Sequence, residues 1–343
     1  MNANCVPFQQ SPLGSIDFLA LSLHIVSVIS TPIHIIAIFC ILKRSSESLE
    51  SLKWSLLNYH SMVIFFSYSV NFFESPYILL PAMAGTSIGF LDQFSVDCQE
   101  QIYFLVLSLA LLIIVTPLPF ERRFYELFGG RSKLWQKLRI FWIMMHYSSV
   151  LAIMTIVISE VPEQEKAVLA VFKRIPCLPE FFQNAPFFVL SIEISTIIIA
   201  FTVLVLVVIS EVFFFTMIIL LLCSEQVQNH QLSSGAFRAR NMILFKLHAQ
   251  IIIPLPTLAI PLAYAMFSII MDYYSQAFNN LLIICASLHG LISSAVLVIM
   301  HEDYRKVLPC FRQNMSSVEE IQENSVCPVV AEFHRRTSTV VIN

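Results

Sequence analysis

Apolar residues gather into long runs separated by short polar stretches, at roughly 17–42, 55–81, 98–120, 139–159, 188–222, 246–271 and 278–300. The hydrocarbon core of a bilayer takes about 20 helical residues to cross, and each of the seven runs meets that length. Lipid cannot satisfy backbone polar groups, and these runs are too long and too apolar for barrel strands, so the pattern predicts helices throughout. The expected fold is an all-α membrane protein, a seven-transmembrane helix bundle. The fifth run is long enough to extend beyond the lipid. The second and sixth are interrupted: "NFFESPYILLP" carries Glu74, and "IIIPLPTLAIP" contains Pro254, Pro256 and Pro261, which mark kinks.

Composition agrees. Apolar residues make up 57% of the 343, charged residues only 13%, and mean hydropathy is +0.75, against about a quarter charged in a soluble domain. The net charge of −3 gives no basic excess for nucleic acid. Where the charges lie matters more. Seventeen of the twenty Lys and Arg fall on one side of the predicted bundle, in the segments around 43–53, 122–139, 238–246 and 305–336; the other side keeps Lys166, Lys173 and Arg174, all in one loop. The positive-inside rule then puts the N-terminus outside and the C-terminus inside. Asn314-Met315-Ser316, the single glycosylation sequon, falls on the inner side. Domain boundaries follow: an extracellular N-terminus over 1–16, the seven-span body over 17–300 and a cytoplasmic tail over 301–343. The first sixteen residues lack the basic region of a cleavable signal, so the first run is expected to stay in the membrane.

Little in the chain resembles catalytic machinery. "GTSIG", Gly85 to Gly89, matches the G-x-S-x-G nucleophile elbow, but that motif needs a strand before it and a helix after it, whereas here a membrane helix precedes and an outer loop follows. HExxH, P-loop and GxGxxG patterns do not occur, and neither a cofactor nor a metal is expected. Acids inside a membrane cost about 2.5 to 3.5 kcal/mol each on insertion scales. Glu74 and Glu193, both at the predicted outer level, are candidates for binding a polar ligand group; the alternative is hydration or hydrogen bonding near the interface. Glu211 lies lower on the fifth span and reads as structural or as part of an activation device. Histidines 24, 34, 146, 248 and 289 have no second metal ligand on the same helix face and read as polar glue between helices, with His289 a further candidate for the ligand pocket.

Six segments in order resemble the nematode serpentine chemoreceptors of class H (Srh) in the Str superfamily: "STPIHIIAIFCIL", "SLKWSLLNYH", "PFERRFYELF", "RIPCLPEFF", "KLHAQIIIPLPTLAIP" and "SLHGLISSAVLVIMHEDYR". The resemblance implies a G-protein-coupled receptor. At the inner mouth of the third span the family pattern resembles Glu-Asn-Arg, so Glu121 and Arg123 occupy its charged positions while Arg122 replaces the asparagine. In seven-helix receptors an acid and arginine here hold the inactive state through an ion pair and then free the arginine for the G protein; the other reading is that the arginines obey only the positive-inside rule. Arg238 and Arg240 join Arg123 as candidate G-protein contacts. Cys98 at the start of the third span and Cys177 in the second outer loop also have the placement of the loop-pinning disulfide of many seven-helix receptors, with Cys5 a competing partner and two unpaired thiols the alternative. In the tail, "HEDYRKVLPCF" reads as a short amphipathic helix over 301–313, with Tyr304 and Leu308 facing lipid, Arg305 and Lys306 facing headgroups, and Cys310 a palmitoylation candidate.

The resulting expectation is a plasma-membrane, multi-pass chemosensory receptor, with sensory cilia as a candidate site, that binds a small ligand, volatile compounds among the candidates, and activates a heterotrimeric G protein. A small multispan transporter or channel is the alternative. Against it stand the absence of a repeat relating the two halves and of a row of intramembrane charges.

Overall fold

The computed structural model describes residues 12–44, 50–129, 132–175, 187–193 and 195–305. Six stretches among them are helical, long and apolar enough to cross a membrane: Ile16–Lys43, Cys98–Phe128, Lys133–Ser159, Ser195–Gln228, Ser234–Ile270 and Gln276–Met300. The first is helix α1 (Ile16–Lys43), started by Ser15, whose hydroxyl accepts from Phe18 N at 3.2 Å. The second span is built differently. Helix α2 (Lys53–Tyr68) has sixteen residues and continues through a five-residue π-helical turn, Ser69–Phe73; together they reach about 30 Å, enough for a bilayer core.

Here the sequence expectation needs correction, because the second helix stops at Phe73 and not near 81. Glu74 and Ser75 leave the helix, Ser75 with a left-handed φ of 46°, and the chain enters a hairpin, β1 (Pro76–Ile78) and β2 (Ala84–Ser87). The antiparallel sheet is completed by β3 (Phe188–Val189), in the order β1-β2-β3. This explains the glycines of "GTSIG". A Cβ on Gly89 would fall within 2.5 Å of Glu74 C and Phe73 O, so only glycine lets the strand exit lie against the end of the second span. Ser87 sits in a strand and donates to Glu74 O, a structural role in place of the nucleophile that the motif suggested.

The third and sixth spans are each divided by proline. Helix α3 (Cys98–Val115) ends at Thr116-Pro117, and α4 (Leu118–Phe128) begins with Pro119 in its first turn, where a missing N–H costs nothing. The fourth span is α5 (Lys133–Ser159), capped by Ser132. A short amphipathic helix, α6 (Gln164–Arg174), follows and buries Ala167 and Val171 beside the sheet. Its Gln164 amide accepts from Val189 N (2.9 Å) and donates to Val189 O (3.0 Å), as a further strand residue would. The fifth span is α7 (Ser195–Gln228). Pro254 and Pro256 separate α8 (Ser234–Ile252) from α9 (Pro256–Ile270) in the sixth, and α10 (Gln276–Met300) forms the seventh.

Two apolar cores fill the bundle. One lies at the sheet end, around Leu19, Val63, Leu79, Ile114 and Val189; the other lies at the opposite, basic end, around Ile41, Leu56, Phe120, Phe215, Leu247 and Leu297. The first turns of α10 tie the sheet end together: Asn279 donates to Leu80 O, and Asn280 donates to Leu13 O and Ser15 O.

Candidate functional sites

The basic end is organised by α4. Residues two apart on a helix point to different faces, so Glu121 and Arg123 find separate partners. Glu121 is 1% exposed, and its Oε1 accepts from Trp135 Nε1 (3.1 Å) and Arg139 Nε (2.8 Å), both on α5. Trp135 and Arg139, one turn apart, reach the same oxygen. The Arg139 guanidinium also lies 4.5 Å over the Tyr125 ring, with Arg122 at 5.8 Å. Arg123, 5% exposed, pairs with Glu126 on its own helix (2.9 Å), and its Nε has no partner. The ion pair expected within the Glu-Arg-Arg run is thus two pairs, one crossing to the fourth span and one internal to α4. Arg122 donates to Ser51 O (2.9 Å) and ties α4 to the start of the second span.

Arg238 is exposed, while Arg240 donates to Gln226 Oε1 across the joint between the fifth and sixth spans (2.9 Å). A void with room for a water molecule lies just inside this end, lined by Tyr59, Thr116, Phe120 and Gln250 among others. Gln250 donates to His301, whose imidazole is pushed down to about 4 by burial and further by Lys246, with Asp303 opposing, and so accepts as the neutral ring. The tail expectation is corrected at Tyr304. In the short helix α11 (Glu302–Arg305) this ring is fully buried in the basic-end core against His301, where lipid exposure was expected, because α11 folds back against α10. Leu308 and Cys310 lie outside the described residues.

Five histidines behave as interhelical ties. His34 Nδ1 and His60 Nε2 meet Ser294 Oγ at 2.6 and 3.1 Å, joining the first, second and seventh spans. His146 reaches Glu211 Oε2 at 2.7 Å while Trp142 donates to Glu211 Oε1 at 3.0 Å, joining the fourth and fifth. His248 meets Thr216, and His289 meets Thr257 at 3.2 Å, deep inside the bundle. His24 is exposed. His60, Ser294, Trp135 and Arg139 were not singled out in the sequence. Only the last two carried a signal, an aromatic and a cation at i,i+4 on the first turns of a span.

At the sheet end the two candidate acids part. Glu193 precedes α7 and is exposed, outside the fifth helix where the hydrophobic run had placed it. Glu74 is 1% exposed and neither of its carboxylate oxygens has a partner. Cys98 is a buried free thiol at the start of α3 whose sulfur lies 3.8 Å from Gly85 O; Cys177 lies outside the described residues.

Seven apolar spans bound together by buried polar ties define a multi-pass membrane protein of the seven-helix class. A family model described as "Serpentine type 7TM GPCR chemoreceptor Srh" matches residues 14–313, and the chain belongs to that family. It is similar to a protein of Caenorhabditis elegans, serpentine receptor class H-72, at 24% identity over 331 residues, covering 93% of this chain and 91% of the relative.

Proposed function

We propose that the protein is a chemosensory receptor of the plasma membrane that lies with its sheet end outside and its basic end in the cytosol, binds a small molecule among the outer halves of its spans, and activates a heterotrimeric G protein. Family membership over 14–313 is the observation that carries this reading. The clustering of basic residues at one end supports the orientation.

Signalling is a population shift: ligand binds the active packing more tightly, the inner ends of the fifth and sixth spans move, and Arg123 with Arg238 and Arg240 meets the G protein. Arg123 suits the task because its charged partner among the described residues is on its own helix and its Nε is unspent. No catalytic step belongs to this reading. The test has two parts. Epitope tags at the termini, probed on intact and permeabilised cells, are expected to show an exposed N-terminus and a hidden C-terminus; both termini on one side would give the lead to a transporter. Arg123→Ala is expected to abolish nucleotide exchange on the G protein at unchanged surface density, and unaltered exchange would remove Arg123 from the role.

A further inference from the structure

We propose that the Glu74 carboxyl anchors a ligand cation, so that the compounds this site takes are small apolar amines bearing a protonated primary or secondary nitrogen. The proposal rests on the receptor reading for its biological meaning, but the site is argued from its own atoms.

Of the acids Glu74, Glu121 and Glu211, two already have donors. Glu121 has two donors and Glu211 has two. Glu74 has none on either oxygen. Nor is its backbone loose: Glu74 N donates to Ser69 O (3.1 Å) to close the π turn, Glu74 O accepts from Ile88 N (3.1 Å) and from Ser87 Oγ, and Gly89 packs against it. The carboxyl is held in place without a partner. Leaving a buried carboxyl in that state is costly, and buried charges in proteins are paired.

Two further unpaired atoms share this chemical sense. Asn71 Oδ1, three residues earlier on the π turn, and Gln101 Oε1, on the first turn of α3, are also buried without donors. The π turn packs directly on α3, and the Glu74 carboxyl lies within electrostatic range of Cys98, three residues from Gln101. All of these atoms are acceptors. Only a donor-rich group complements them, and an ammonium presents two or three N–H donors and no acceptor.

Among the described residues the chain supplies no such group. On this side of the bundle its Lys and Arg are Lys166, Lys173 and Arg174. Lys166 and Lys173 are exposed, Lys166 beside Glu163, and Arg174 is engaged with Asp272 (2.6 Å) and Pro81 O (3.3 Å). The body of the ligand is specified by the rings next to Glu74. Phe73 packs edge-on against Phe104 (6.1 Å), and Phe72 stacks on Phe90 (4.9 Å). Aromatic faces accept both hydrocarbon and the flank of a cation.

The experiment uses the full-length protein in lipid nanodiscs, with thermal unfolding measured against benzylamine, phenethylamine and their neutral counterparts benzyl alcohol and phenethyl alcohol. The amines are expected to raise the melting temperature in a saturable way and the alcohols to leave it unchanged. Glu74→Gln is expected to weaken the amines by about ten- to a hundred-fold, as loss of a charge-assisted hydrogen bond requires, and Glu74→Asp to retain them. Equal stabilisation by amine and alcohol, absence of stabilisation by either amine, or undiminished affinity in Glu74→Gln would each overturn the proposal. The amine-against-alcohol comparison on the unaltered protein decides the matter even where Glu74→Gln does not fold. G-protein nucleotide exchange separates this inference from the receptor reading. Amine binding that depends on Glu74 with no exchange from any ligand keeps the site and ends the receptor reading. Exchange driven by a neutral odorant, with no stabilisation of the unaltered protein by either amine, keeps the receptor and ends the site.

Discussion

Arg139→Met tests whether the charged joint at the basic end is held by the contact to the fourth span. Methionine keeps most of the apolar stem and deletes the guanidinium, which donates to Glu121 at 2.8 Å and lies 4.5 Å over Tyr125. A hydrogen bond to a charged group contributes about 1.5–3 kcal/mol and a cation–π contact about 0.5–1 kcal/mol at an exposed site. The Arg139 side chain is 25% exposed and its partner 1%, so solvent screening takes the sum toward its lower end, about 2 kcal/mol. Glu121→Gln removes the same pair from the other side while leaving an oxygen to accept from Trp135. The four members of this cycle are compared by thermal unfolding in one detergent at one heating rate, since membrane-protein melting is scan-rate dependent. Each single substitution is expected to lower the transition, and the double to lie no lower than the worse single, a coupling of about 1–2 kcal/mol. Simple additivity, within about 0.3–0.5 kcal/mol, would refute the reasoning.

Two further expectations follow from packing and from cysteine chemistry. Gly290→Leu should sharply reduce surface expression, because even a Cβ there would overlap the buried Ser67 side chain and lie 3.3 Å from His34 Cε1, and overpacking costs about 1–3 kcal/mol; normal expression would show that the second and seventh spans do not meet at this point. Cys98→Ser and Cys177→Ser test the expected disulfide: equal losses of surface expression with no added loss in the double would join the two, whereas additive losses agree with the free Cys98 thiol.

The sequence exposed what depends on composition along a short stretch. A run of twenty apolar residues, a proline that halves a helix and a polarised set of arginines are local facts, and the spans, the break at Pro254 and the single basic end follow from them. The end of the second span was misplaced because "SPYILLP" is as apolar as a helix, and periodicity over so few residues does not separate a buried strand from a membrane segment. The sheet that claims it pairs Ala84 and Gly85 with residues about a hundred positions away. The same distance hides the polar ties. His34 and Ser294 are 260 residues apart, and neither residue on its own differs from any polar group in an apolar run. Tyr304 was misread because an amphipathic helix beside a membrane has two candidate apolar solvents, lipid and the protein core, and the pattern of residues is the same for both.

These ties also distribute stiffness unevenly. The first, second and seventh spans share the His34–Ser294–His60 contact, the fourth and fifth share Glu211 with Trp142 and His146, and the joint after the third is fastened to the fourth through Glu121. The sheet-end half of the sixth span, α9, packs chiefly on α10, with Thr257 to His289 as its polar contact between helices, and it is joined to α8 where Pro254 and Pro256 interrupt the backbone ladder. A proline joint removes hydrogen bonds that would otherwise resist bending. We therefore expect the sixth span to be the element that a ligand at the sheet end displaces most readily. Its basic-end half carries Arg238 and Arg240 and is tied to the fifth span through His248–Thr216 and Arg240–Gln226, so a bend at this joint moves basic side chains at the basic end together with the fifth span and leaves the first and second spans' tie to the seventh intact.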